Sequence, residues 1–282
     1  MQTLRETLAS AKERGIALGH FNVSDSVQFE AVIEAAEELG VPVIVGVSEG
    51  ERKWIGAEEI ASLVRVEREK GRVVFLNADH THDEAGIEEA LAAGFDQVLF
   101  DGSGLALEEN ITATKKIAAR AHGSGRDVLV EGELGYIGLS SEVREGIPEN
   151  LTMTDPADAA RFVSETGVDL LAPAVGNIHG MRKDGTDPAL DIDRITAIAE
   201  SVPVSIVLHG ASGNSDQDIR RAIEAGVSVV HINTELRAAY RDGIEEGLEK
   251  HSEDVAPYKF MAEGKEAVKE VALAKLRLFN NL

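Results

Sequence analysis

The sequence predicts an α/β fold: one (β/α)8 TIM barrel as a single domain over residues 1–282, with an N-terminal helix and an extra C-terminal helix. Three observations predict it. Strand-sized apolar runs recur eight times, separated by segments of helical periodicity. Polar, chemistry-bearing residues cluster where those runs stop, not where they begin, and in a barrel such ends converge on one face. No Gly-x-Gly-x-x-Gly follows the first run, which counts against the alternative of an open doubly wound sheet.

The elements follow in order. MQTLRETLASAKERG reads as a charged amphipathic helix and not as a signal peptide. The runs are 16–19, followed by His20, Phe21 and Asn22; 43–47, ending on Ser48; 73–76, ending on Asn77, Asp79 and His80; and 98–100, ending on Asp101. The second four are 128–130, ending on Glu131 and Glu133; 168–175, followed by Asn177 and His179; 204–208, ending on His209; and 227–232, ending on Asn233. Between them, Val32, Ala35, Ala36 and Leu39 share one helix face that Gly40 terminates, because glycine takes a left-handed conformation cheaply. Ile87, Ala90 and Leu91 before Gly94 repeat the pattern, as do Ile219, Ala222 and Ile223 before Gly226. Two segments are extra. Residues 134–156 form an overlong, Gly- and Ser-rich stretch, expected to be a mobile active-site loop. Residues 256–279 form a final helix with Val268, Val271, Ala272, Leu276 and Phe279 on one face, packing on the barrel or pairing subunits.

Composition narrows the function classes. The formal charge is −22, which argues against binding a phosphate backbone, so no nucleic-acid partner is expected. No apolar run is long enough to span a membrane. The absence of cysteine excludes disulfide and thiolate chemistry and fits a reducing, cytoplasmic setting.

The chemistry centres on histidine. His80, His179 and His209 each follow a different strand, and three neutral imidazoles with an open position suit a catalytic zinc or another divalent metal. His82, His122 and His251 are read as ordinary histidines, with His82 turned into its loop or the following helix. Asp79 adjoins His80 and is a candidate proton donor and acceptor; Glu142, on the long loop, is a second candidate base. Asp101, Glu131 and Glu133 orient the histidines or hold another cation. The His209-Gly210-Ala211-Ser212-Gly213 loop and the Asn233-Thr234 helix start form a candidate phosphate site, with Lys183 as a nearby cation. A phosphate, a metal and two acid/base groups suit carbon–carbon bond making or breaking through a metal-stabilised enediolate. No lysine falls within a strand, as a Schiff-base route would need. A barrel metallohydrolase is the remote alternative, but the first run lacks a His-x-His pair. A binding protein that has lost catalysis is a third class, and it predicts a missing ligand or acid.

Over essentially its whole length the chain resembles the class II, zinc-dependent fructose-bisphosphate and tagatose-bisphosphate aldolases. The motifs that carry the resemblance are Asn77-Ala78-Asp79-His80, VEGELG at 130–135, GNIHG at 176–180, LHGASG at 208–213 and NTEL at 233–236. The resemblance implies cleavage of a ketose 1,6-bisphosphate, fructose 1,6-bisphosphate first and tagatose bisphosphate or another dihydroxyacetone-phosphate adduct as the alternative. It implies zinc on His80, His179 and His209, Asp79 as proton donor to the aldehyde oxygen and Glu142 as the base acting on dihydroxyacetone phosphate. Asp101 and Glu133 match a second metal position with His80. Gly180, Lys183, Gly210, Ala211, Ser212, His231, Asn233 and Thr234 match the residues around the phosphorylated triose, and Asn22 and Ser48 match pocket-lining positions. The resemblance further implies a monovalent cation (Na+ or K+) and a homodimer or homotetramer. The chain departs from the family pattern at His231, where the family has an Asn that touches the triose. It departs again in the loop, where Gly138-Leu139-Ser140-Ser141-Glu142 leaves Glu145 as an alternative base.

Overall fold

Eight parallel strands close into a barrel in chain order, in a computed structural model that describes residues 2–138, 142–147, 151–184 and 187–282. The strands are Leu18–Asn22, Val43–Val47, Val74–Thr81, Gln97–Phe100, Leu129–Leu134, Leu170–Pro173, Ser205–Leu208 and Val227–Ile232. The eighth closes on the first with Leu18 opposite Val229 and His20 opposite His231.

Side-chain alternation sorts each strand into two sets. One set, with Phe21, Val45, Leu76, Val98, Val130, Ile206 and Val230, packs in the large core shared with the helices. The other points into the barrel and changes character along the axis. Its lowest layer is Leu18, Ile44, Phe75, Leu129, Leu170, Val207 and Val229. Two residues further up the same strands stand His20, Asn77, Glu131, His209 and His231, and two further again stand Asn22, Asp79 and Glu133. The barrel is therefore apolar at its base and polar at its mouth. Helix Leu4–Arg14 plugs the base: Leu4, Leu8 and Ala11 join that lowest layer, each leucine contributing about 1.5–3 kcal/mol by burial. A capping box between Thr3 and Glu6 fixes where this helix starts.

Several expected boundaries move. The third strand does not stop before Asn77 but runs on through Asp79 and His80 to Thr81. The fifth likewise contains Glu131 and Glu133. In both cases the polar residues point into the polar mouth, so they extend the strand instead of breaking it. Gly40 and Gly94 end their helices in the left-handed conformation as expected, whereas Ala225 caps the helix before Gly226. The single C-terminal helix expected over 256–279 is two, Pro257–Phe260 and Ala262–Asn280. The longer one packs on helices Thr234–Lys250 and Ser26–Leu39, so this face belongs to the barrel. Within 134–156, Val143–Arg144 pairs with Met181–Arg182 from the loop after the sixth strand, and Tyr136 bridges Thr152. Residues 139–141 and 148–150 of that expected loop lie outside the described residues.

Candidate active site

In a regular strand, adjacent residues cannot both face the barrel interior. Asp79 and His80 do so because the third strand carries an irregularity between Ala78 and Thr81, where its register against the fourth strand shifts. His80 sits there at φ 40°, a left-handed conformation that non-glycine residues rarely adopt. The imidazole consequently swings to the same cleft as its neighbour's carboxylate.

His80, His179 and His209 converge as expected. Their ring centroids are 4.7 Å (His80–His179), 5.0 Å (His80–His209) and 5.9 Å (His179–His209) apart, with planes near perpendicular. One nitrogen from each, together with an oxygen of Glu133, lies within 4.8 Å of the others. Among the described residues, buried Glu133 Oε2 has no hydrogen-bond partner. This donor set fits a divalent cation. The surroundings orient each ligand. His80 Nδ1 lies 2.9 Å from Asp101 Oδ2 and 3.4 Å from Glu133. His209 Nε2 lies 2.7 Å from Glu131 Oε1, and Gln97 donates to the other Glu131 oxygen. The His179 backbone N–H donates to Ile137 O at 2.9 Å, and Asn177 Nδ2 donates to the His209 carbonyl at 2.9 Å.

The protonation of these groups follows the crowding of charge in the cleft. Burial works against a charged His80, but Asp79, Asp101 and Glu133 outweigh it and raise its pKa well above the usual value. Burial, reinforced by His80 and His209, drives His179 well below it. Burial and the Asp101 charge push Glu133 up to about 7. Burial alone would raise Asp79, yet His80, His20 and His209 and a hydrogen bond from Asn22 hold it well below the carboxylate range.

The remaining expected residues divide among two lobes of the cleft. A narrow lobe is lined by Asn22, Gly180, Gly210, Ser212, His231, Asn233 and Thr234 beside the three imidazoles. Ala211 is fully buried between Gly210 and Ser212. Asn233 Oδ1 and Thr234 Oγ1 are buried there without hydrogen-bond partners among the described residues, at the start of helix Thr234–Lys250. A wider lobe of about 300 Å³ is lined by Ser48, Asp101, Glu142, Asn233 and Arg237. Glu142 is exposed on this wall, its carbonyl accepting the Met181 N–H at 3.0 Å. Lys183 stands apart: its side chain is 72% exposed and reaches Glu145 at 3.4 Å, outside the lining of both lobes. His82 is not turned away but stands at the rim, its Nε2 3.5 Å from Asp101. Another cavity, of about 450 Å³, opens at the opposite end of the strands beside Val43, Val73 and Arg72, away from every candidate ligand.

Sequence reasoning missed Glu51. This buried carboxylate accepts from Asn22 Nδ2 (3.0 Å), from the Ser48 N–H and hydroxyl (2.7 and 2.8 Å) and from Arg237 Nη2 (2.6 Å). Asn22 also donates to Asp79 Oδ2 at 2.9 Å, so Glu51 holds the residue that holds Asp79. Its one sequence signal was the Ser48–Glu51 spacing of a capping box.

Comparison with known proteins decides the family. The family model described as "Fructose-bisphosphate aldolase class-II" matches residues 2–282. The chain belongs to the class II fructose-bisphosphate aldolase family. It is 34% identical over 283 residues to a Bacillus subtilis protein named "Probable fructose-bisphosphate aldolase", covering 99% of this chain and 97% of that one. It is 33% identical to the fructose-bisphosphate aldolase of Staphylococcus aureus, over 98% and 96% of the two chains. The crystal structure of the YdjI aldolase from Escherichia coli K12 superposes with a TM-score of 0.84 at 34% identity, covering 98% of this chain and 96% of that one. The protein is thus a class II aldolase, a carbon–carbon lyase of a metal-dependent class whose substrates are phosphorylated sugars.

Proposed function

We propose that the enzyme reversibly cleaves a ketose 1,6-bisphosphate, fructose 1,6-bisphosphate first, to dihydroxyacetone phosphate and glyceraldehyde 3-phosphate. One observation carries the proposal: the imidazole trio shares a cleft with a helix start at which, among the described residues, the buried Thr234 hydroxyl has no partner. A helix N-terminus with free backbone N–H groups and a hydroxyl suits a phosphate, here next to a cation site.

His80, His179 and His209 would hold zinc, with Glu133 and Asp101 beside them. When bound, the cation polarises the ketone carbonyl and the adjacent hydroxyl. Gly180, Gly210, Ser212 and Thr234 receive the phosphate end and fix the substrate's register. In the cleavage direction Asp79 takes the proton of the hydroxyl on the fourth carbon, the bond between the third and fourth carbons breaks, and the aldehyde leaves. Glu142 then returns a proton to the carbon of the triose; condensation runs these transfers in reverse. Glu142 would reach that carbon from the wall of the wider lobe.

The test is a panel of fructose 1,6-bisphosphate, tagatose 1,6-bisphosphate and fructose 1-phosphate, with triose phosphate detected by a coupled dehydrogenase. Fastest cleavage of fructose 1,6-bisphosphate supports the proposal. Fastest cleavage of tagatose 1,6-bisphosphate reassigns the aldehyde configuration, and no triose phosphate from any of the three by metal-loaded protein refutes it.

A further inference from the structure

His20 and His231 lie one layer below the mouth; His231 lines the floor of the narrow lobe, and the proposed reaction gives neither ring a step. As register partners on the first and eighth strands they point inward at the same level. Their rings stack with centroids 3.5 Å apart and planes 2° from parallel. His231 leans in turn on His209, with centroids 3.9 Å apart. The second strand makes room for the stack: a Cβ on Gly46 would sit 2.0 Å from the His20 ring. The Asn77 amide, 3.1 Å from His20 Nε2, ties the ring to the third strand.

A shared cation is the first use to consider, since nitrogens of both rings and an oxygen of Asp79 lie within 4.8 Å of one another. Stacking argues against it. An imidazole nitrogen binds a metal along its lone pair, in the ring plane. With the rings parallel at 3.5 Å, an ion in the plane of one stands far out of the plane of the other.

The geometry suits Asp79 instead. Its Oδ2 accepts from Asn22 at 2.9 Å, whereas its buried Oδ1 has no hydrogen-bond partner among the described residues. The imidazole nitrogens that approach Oδ1 are His231 Nδ1 at 3.6 Å and His80 Nε2 at 3.9 Å. His80 belongs to the candidate cation site, which leaves His231. We propose that His231, held in plane by its stack on His20, is a positioning residue for Asp79. It presents its Nδ1 edge to the carboxylate and fixes the plane in which Oδ1 meets the aldehyde oxygen. In this chain His231 therefore serves the proton transfer and does not read the triose.

The inference rests on the aldolase reading, and two half-reactions separate the two. Exchange of solvent hydrogen into dihydroxyacetone phosphate needs the base on the carbon but not Asp79, whereas cleavage needs both. His231→Phe keeps the stack and loses the ring nitrogen; His231→Gln keeps a donor and loses the stack. Zinc content and melting temperature confirm that each variant is folded and loaded. We expect His231→Phe to lower the kcat for cleavage roughly 10- to 100-fold, with KM and the exchange rate within about twofold of wild type, because misplacement of a reacting group falls on the transition state. His231→Gln recovers part of the lost kcat. A raised KM with unchanged kcat, or equal loss of exchange and cleavage, overturns the proposal, as does wild-type cleavage by His231→Phe. If both variants fail to fold, His20→Ala, which removes the stacking partner together with its tie to Asn77 but leaves His231 in place, must show the same selective loss of cleavage, and wild-type behaviour there overturns the proposal. Wild-type protein that performs neither half-reaction refutes the aldolase reading itself, and the assignment of His231 falls with it.

Discussion

Replacing Glu131 with leucine tests whether the imidazole trio is a metal site. Glu131 is wholly buried and touches no substrate lobe. Its Oε1 lies 2.7 Å from His209 Nε2, a charge-assisted contact that leaves the other ring nitrogen free for a cation. Hydrogen bonds to charged groups are worth about 1.5–3 kcal/mol, which corresponds to a roughly 10- to 100-fold loss of metal affinity if that orientation is what the site needs. Leucine fills similar space but leaves Gln97 Nε2 and His209 Nε2 buried without their acceptor, so the metal-free variant should also lose about 1–3 kcal/mol of stability. Zinc affinity is measured by competition with a chromophoric chelator, and the melting temperature of metal-free protein is followed in parallel. A dissociation constant within about twofold of wild type, with a lowered metal-free melting temperature, would refute the reasoning and leave Glu131 as a core contact.

Three further outcomes follow from the same geometry. Asp79→Asn, nearly isosteric and still able to pair with Asn22, should lower kcat for cleavage about 10²- to 10⁴-fold while KM stays close to wild type; unchanged kcat removes Asp79 from the proton transfer. Thr234→Val deletes a buried hydroxyl that has no partner among the described residues, so KM for the phosphorylated ketose should rise about tenfold, whereas KM for an unphosphorylated ketose should not move. Metal affinity should fall as pH drops from about 8 to about 6: His80 and Glu133, both raised in pKa, carry protons in the metal-free site that the cation must displace. Calorimetry in buffers of different ionisation enthalpy reads the protons released, and pH-independent affinity contradicts the ligand assignment.

Much of this was legible in the sequence because barrel strands alternate regularly. Leu18, His20 and Asn22 already spell an interior column that changes from apolar to polar, and Phe75, Asn77 and Asp79 spell another. What misled were the strand ends. Asn and Asp are poor strand formers, so the third strand looked finished at Leu76, yet in a polar barrel mouth they are the inward-facing residues. The local irregularity that turns His80 beside Asp79 has no marker in the residues themselves. The His20–His231 stack depends on which strand closes the barrel and in what register, joining positions from opposite ends of the chain. Glu51 looked like surface charge in a Glu- and Lys-rich helix, and only the fold turns it toward Asn22 and Arg237. The break at Met261 was missed because the residues that mark the buried face, Val268 to Phe279, all lie beyond it.

The most direct measurement is cleavage of fructose 1,6-bisphosphate before and after removal of bound metal by a strong chelator, with the protein's metal content determined in each sample. The account predicts that activity disappears with the metal and returns on adding stoichiometric zinc, and that His209→Ala neither retains the metal nor recovers. Undiminished cleavage by protein shown to be free of metal would contradict it.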